Sequence, residues 1–250
     1  MFKPIFKPLF KPLFTGASGG GSGLDVNNLV AYWKLDEESG TRFDATANGR
    51  NLTDINTTGF AAGRIGNAAN FIPANVERLT KGTDTAFVFG GAVSYSISLW
   101  FNYTIVPPAG FYMSVAKVSV VTPTNRNYWM AHYPNRVSFR HENGTSGTNC
   151  EVFFTPSINT WYFVVGTYNH LTNTITTYID DMTPATAVPG SGTGGSTQTS
   201  SDFNISYYTG SNAATFDGSV DEVGVWNVAL TARQVAELYN GGAGKSYPFI

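Results

Sequence analysis

Cleaving a glycosidic bond takes two carboxylates that converge on one face, as a Glu-x-Asp pair on a strand would supply for the acid and nucleophile roles. No Glu-x-Asp occurs in this chain. Its acidic runs are consecutive instead: Asp36-Glu37-Glu38, Asp180-Asp181 and Asp221-Glu222. Neighbours on a strand alternate sides, which sends Asp221 and Glu222 to opposite faces, and Asp180-Asp181 reads as a turn. His132, His141 and His170 are scattered and lack metal-ligand spacing. Gly192, Gly194 and Gly195 lie among Ser and Thr and read as a flexible loop, not as a phosphate cradle. These patterns argue against catalysis.

Sugar recognition asks for less: a flat ring on which the C–H face of a pyranose or furanose stacks, beside amides or carboxylates that hold its hydroxyls. Tyr112, Tyr128, Trp129, Tyr133, Tyr207 and Tyr208 are the candidates. In the stretch from Tyr128 to Tyr133, period-two alternation places Tyr128, Met130 and His132 on one face and Trp129, Ala131 and Tyr133 on the other. One of these faces must be core. Aromatics make up 14% of the chain, so most of them have to build the interior.

A third recognition chemistry sits at the N-terminus. Residues 2–14 repeat Phe-Lys-Pro-Ile/Leu three times and close on Phe14. Proline at every fourth position forbids a continuous helix and favours an extended, polyproline-like path. The apolar core and small-residue cleavage site of a signal peptide are both missing from it. Residues 16–23, Gly-Ala-Ser-Gly-Gly-Gly-Ser-Gly, form a flexible tether. The layout is an arm over residues 1–15, a linker over 16–23 and a globular domain over 24–250. Each exposed phenylalanine stands to gain about 1.5–3 kcal/mol by burial on a partner. Phe2, Lys3, Phe6, Lys7, Phe10, Lys11 and Phe14 are therefore the expected anchor, with the lysines meeting acidic surface.

The composition bounds the rest. Apolar residues are 42%, charged residues 13% and the formal net charge is −2, which speaks against a disordered chain and against a nucleic-acid binder. The one cysteine, Cys150, excludes an internal disulfide, and its apolar neighbours point to a buried small hydrophobe. No apolar run is long enough to cross a bilayer.

The elements that would position these residues are strands. From Phe216 to Trp226 the sequence alternates, with Val220, Glu222, Gly224 and Trp226 expected on one side and Asp221, Val223 and Val225 on the other. A short helix follows, with Thr231 as N-cap, Val235, Leu238 and Tyr239 as its apolar stripe, and Gly241-Gly242 as its stop. This ending resembles the C-terminal signature of laminin-G-like, concanavalin-A-like jelly-roll domains. Other blocks resemble the same family in the same order: Leu29 to Glu37 with Gly40, Asp44, Asn48 and Gly49, then Tyr95 to Phe101, Trp161 to Tyr168, and Ile175 to Asp181. Where the family usually has Asn-Gly this chain has Asp180-Asp181, and both pairs suit a tight turn.

The resemblance implies an all-β jelly-roll sandwich with one short C-terminal helix, beyond the extended N-terminal arm, and leaves no room for a second core. It assigns Trp33, Trp100, Trp161 and Trp226 to core positions. Many such domains hold calcium at the rim; the matching residues are Asp44, Asn48 and Asp221, all hard oxygen donors. The fold hosts lectins, hydrolases, adhesion modules and virion proteins alike. One expectation is a non-enzymatic virion structural protein, a bacteriophage capsid decoration or head/tail accessory protein, multimeric in its assembly and fixed by the arm to capsid or tail proteins. The alternative is a carbohydrate-binding module of a bacterial surface or secreted protein, with Tyr128, Trp129, Tyr133, Tyr207 and Tyr208 facing a glycan.

Overall fold

A computed structural model of the chain describes residues 23–118, 126–144, 146–190, 194–208 and 214–250. The anchor residues from Phe2 to Phe14 lie outside the described residues. The strands follow one another as β1 (Leu29–Trp33), β2 (Thr53–Ile55), β3 (Gly59–Ala62), β4 (Asn67–Phe71), β5 (Arg78–Gly82), β6 (Tyr95–Tyr103), β7 (Tyr112–Val118) and β8 (Arg126–Tyr133). They continue as β9 (Arg136–Glu142), β10 (Gly147–Phe153), β11 (Trp161–Asn169), β12 (Thr174–Ile179), β13 (Ala185–Ala187), β14 (Asp202–Ile205) and β15 (Gly218–Trp226), before helix α1 (Ala232–Tyr239).

These strands make two sheets. One runs β10-β9-β8-β7-β14-β5-β2; the other runs β13-β12-β11-β6-β15-β4-β3, with β1 also paired to β15. Pairing between these strands is antiparallel throughout. The expected jelly-roll sandwich with its single short helix is what forms. Between the sheets lies an aromatic core in which Phe87 stacks on Phe203 at 4.5 Å and Phe89 on Tyr95 at 4.7 Å. Gly166 of β11 keeps the two layers close, since an added Cβ would lie 2.2 Å from the Phe139 ring of the opposite sheet.

Two further apolar layers cover the outer faces. Tyr32, Trp100, Phe163, Trp226, Val235, Leu238 and Phe249 pack between the larger sheet and α1 with the C-terminal tail. This explains why β6 and β15 are buried almost end to end. The tryptophans expected in the core pack in both apolar layers: Trp33 inside the sandwich, Trp100 and Trp226 buried in the outer layer, and Trp161 partly buried against that layer. Helix α1 begins on the expected Thr231 cap, completed as a capping box by Gln234. It stops one residue earlier than the glycines suggested, on Asn240, which takes the left-handed conformation at φ 49°.

The alternation expected along β15 breaks at Glu222. Its φ of 52° inserts a bulge between Asp221 and Gly224 against β6. A bulge shifts side-chain parity by one residue. Val220, Val223 and Val225 therefore all enter the core. Asp221 and Glu222, expected on opposite faces, are brought side by side instead. Asp221 accepts hydrogen bonds from the Arg64 and Ile65 amides at 2.7 and 3.0 Å, and Glu222 accepts one from the Tyr32 hydroxyl.

Candidate functional site

The outer face of the smaller sheet gathers the residues suited to stacking on a sugar. On β8 the core face carries Tyr128 and Met130, and the outer face carries Trp129, Ala131 and Tyr133. Tyr128 is thereby corrected as a glycan contact: its ring is 1% exposed, and its hydroxyl is spent on the Phe87 carbonyl at 3.0 Å. Trp129 and Tyr133 do reach the outer face. Tyr208 joins them edge-on to Trp129 at 6.1 Å, and Phe111 bridges Tyr133 and Tyr208 at 5.7 and 6.2 Å. Tyr207 turns away from this group to lie under Arg78, whose guanidinium carbon is 4.3 Å from the ring centre. Tyr112 packs edge-on to Phe216 at the border of the central core.

Strand register extends the face sideways. Trp129 pairs with Arg140, which pairs with Asn149; Ala131 pairs with Ser138 and then Glu151; Tyr133 pairs with Arg136 and then Phe153. Cross-strand partners share a face, so aromatic, arginine, amide and carboxylate groups stand in adjoining rows. Arg140 lies 4.9 Å above Trp129, and Arg136 lies 3.9 Å above Tyr133. Each guanidinium is also held by a carboxylate: Arg140 Nε donates to Glu142 Oε1 at 2.8 Å, and Arg136 Nε to Glu151 Oε1 at 3.0 Å. Arg140 Nη1 adds a bond to Asn149 Oδ1 at 3.2 Å. Gly147 leaves room for the first pair, because a Cβ there would come within 2.3 Å of Glu142 and 2.4 Å of Arg140.

This arrangement is charge-balanced and amphipathic. Trp129, 9% exposed, is its floor, while Phe153, 64% exposed, is its most open ring. Burial pushes the Tyr133 phenol above its ordinary pKa against the opposing pull of Arg136, so it stays a neutral donor at pH 7. Arg136, Arg140, Asn149, Glu151 and Phe153 went unmarked in the sequence. The signal that finds them is the polar-outside alternation of β9 and β10 about Val137, Phe139, Cys150 and Val152.

His132, His141, Cys150, Asp221 and Glu222 are buried in the fold. His132 bonds Tyr103 and Ser114 at 2.9 and 2.8 Å, and burial lowers its pKa to about 3. His141 meets the Gly194 carbonyl at 3.1 Å, so its Nε2 carries the proton and its Nδ1 accepts from Tyr95 at 3.0 Å. Burial lowers it to about 4. Cys150 is buried, as expected, with its sulfur 3.2 Å from the Ala185 carbonyl. Burial raises Asp221 to about 8 and Glu222 to about 7. At 0% and 2% exposure this acid pair is closed to any substrate.

The three expected calcium ligands have separate hydrogen-bond partners. The Asp44 carboxylate already accepts from the Tyr32, Thr46 and Arg50 amides and from the Thr46 hydroxyl, at 2.8–3.1 Å. Asn48 turns its amide nitrogen to the Leu29 and Val30 carbonyls at 3.1 and 2.9 Å. Asp221 shares none of these partners; its bonds go to Arg64 and Ile65. Among the described residues no group of three or more His, Cys, Asp or Glu side chains is placed to hold an ion. No helix among them is long and apolar enough to cross a membrane.

Two facing antiparallel sheets, with an aromatic outer face on one and a helix on the other, define a concanavalin-A-like sandwich. The chain belongs to the concanavalin A-like lectin/glucanases superfamily, whose profile matches residues 80–236. No curated protein sequence matches it. Among solved structures, the binding domain of Paraclostridial Mosquitocidal Protein 1 superposes with a TM-score of 0.69 at 16% identity, over 86% of this chain and 52% of that one. Domain 4 of AbnA, a GH43 extracellular arabinanase from Geobacillus stearothermophilus, in complex with arabinotriose, gives 0.63 at 18% identity, over 87% and 98%. The botulinum neurotoxin serotype G binding domain gives 0.62 at 13%, over 85% and 50%. This chain thus spans about half the length of the two toxin binding domains and nearly all of the arabinanase domain. At these identities the likeness is one of fold.

Proposed function

We propose that this chain is a non-enzymatic glycan-binding module whose binding face is the outer surface of β8, β9 and β10. The observation that carries the reading is the pair of rows Trp129–Arg140–Asn149 and Tyr133–Arg136–Phe153. Phe153, 64% exposed, offers open ring surface, while the Arg–Glu pairs and Asn149 offer donors and acceptors beside it. Because both arginines are neutralised by Glu142 and Glu151, the face suits a neutral oligosaccharide better than an acidic one. The arabinotriose held by the AbnA domain supports such a ligand class on this fold, and that arabinanase is extracellular, which agrees with a surface or secreted setting. A glycan array probed with the full chain tests the reading. Saturable binding that falls at least tenfold in Tyr133→Ala or Asn149→Ala supports it; binding unchanged in both contradicts it.

The virion reading rests on the arm. Four phenylalanines and three lysines on a proline-stiffened segment suit attachment to a capsid or tail surface, with the sandwich displayed outward. Many copies on one particle would add weak glycan contacts through avidity. Deleting residues 1 to 23 should then abolish particle association and leave the domain folded; a truncated chain that still binds particles contradicts attachment through the arm.

A further inference from the structure

Helix α1 and the turn after β12 enclose a groove of about 410 Å³ that no part of the glycan face uses. Met182 and Pro184 wall it on the turn side, Ala236 and Tyr239 on the helix side, with Tyr178 between them. Asp180 and Asp181 also line it. Tyr239 is held rigid by stacking on Trp100 at 5.8 Å, so the apolar wall is preformed. Aromatic walls beside acidic side chains are suited to proline-rich, lysine-bearing peptide, since extended proline segments dock in aromatic-lined grooves at little entropic cost.

Gly23, which follows the arm and its tether, is fixed beside this groove. The Gly23 amide donates to Glu237 Oε2 at 3.0 Å, and its carbonyl accepts from Gln234 Nε2 at 2.8 Å. Both partners are on α1, the helix whose other flank lines the groove. Residues 15–22 separate Gly23 from Phe14, and at full extension those eight residues reach roughly 26–29 Å. That exceeds half the circumference of a helix about 10–12 Å across. The arm can therefore pass around α1 and enter the groove.

We propose that this groove is the seat of the chain's own Phe-Lys-Pro arm, residues 2–14. Proline and phenylalanine rings of one repeat pack against Tyr178, Tyr239 and Pro184, and its lysine meets Asp180 or Asp181. The short tether sets an effective concentration on the order of millimolar, so even a weak contact is filled in cis before a second copy at micromolar concentration competes. Three repeats give three registers in which the groove is occupied. The seat shelters the arm's rings in the isolated chain, and it stands independently of the glycan reading.

The test replaces Phe6, and separately Phe10, with the photocrosslinker p-benzoylphenylalanine in the full-length chain, with no glycan present. After irradiation at low micromolar concentration, crosslinks are mapped by mass spectrometry. The expected result is intrachain crosslinks onto residues 178–184 and α1, with a yield unchanged by tenfold dilution. Ala236→Arg, which fills the groove, and Asp181→Lys, which reverses its charge, each lower that yield several-fold; both positions are exposed. Crosslinks confined to other surfaces, a dimer band that grows with concentration, absence of crosslinks, or a yield indifferent to both substitutions would each overturn the proposal.

Discussion

Arg140 is fixed from two sides: its guanidinium carbon lies 4.9 Å from the centre of the Trp129 ring, and its Nε donates to Glu142 Oε1 at 2.8 Å. The stacking keeps the cation over the aromatic floor, and the carboxylate sets its rotation. A side chain held in this way loses little entropy when a ligand hydroxyl arrives, which is how a preorganised face gains affinity.

Arg140→Ala leaves the Glu142 carboxylate, whose side chain is 8% exposed, without its ion pair. Leaving a buried polar group unsatisfied costs about 1–3 kcal/mol. Urea denaturation should show a loss of that order at constant m-value. Arg140→Lys should recover part of it, because lysine restores the charge without the planar stacking.

The bulge in β15 was illegible for a definite reason. Asp221-Glu222-Val223 satisfies strict alternation as written, and only the positive φ at Glu222 shows that the parity shifts. What could be read was the part governed by local chemistry: the strand order of the family blocks, the Thr231 cap and the Asp180-Asp181 turn. The candidate face was half legible. Trp129 and Tyr133 announce themselves as aromatics, but the outer partners depend on register between β8, β9 and β10, a long-range property. Alternation puts Tyr128 and Tyr133 on opposite faces, but only the sheet fixes which of the two faces is core.

The acid pair predicts a falling alkaline branch of stability. Asp221 and Glu222 have folded pKa values of about 8 and about 7, above those of free carboxyls, with desolvation as the leading cause. Their contribution is full below the unfolded values near 4 and is lost as pH rises through 7 and 8. Tyr32, Asp36, Lys34 and the Arg64 amide face the pair. His132 and His141, lowered by burial to about 3 and about 4, act in the opposite sense: their contribution is present above the unfolded value near 6.5 and is lost as pH falls. Melting temperature should therefore decline between pH 6.5 and 8.5, where only the acid pair of these four groups titrates. Glu222→Gln should flatten that decline; an unchanged slope contradicts the assignment.

Calcium should leave the fold indifferent. Asp44 and one oxygen of Asp221 accept protein hydrogen bonds, Asn48 gives its amide nitrogen to backbone carbonyls, and the three share no partner. Differential scanning calorimetry with excess chelator is expected to give the same melting temperature as with millimolar calcium. A chelator-dependent drop of several degrees would mean that ligands other than this set bind an ion.

The most direct test of the glycan face is a chemical-shift titration of the isotopically labelled full chain with a soluble neutral oligosaccharide that scores on an array. The account predicts that saturable shifts centre on Trp129, Tyr133, Arg136, Arg140, Asn149 and Phe153 and vanish in Tyr133→Ala. Shifts centred instead on the cleft of Asn27, Asn48 and Arg50, or on α1, with this face silent, would contradict it.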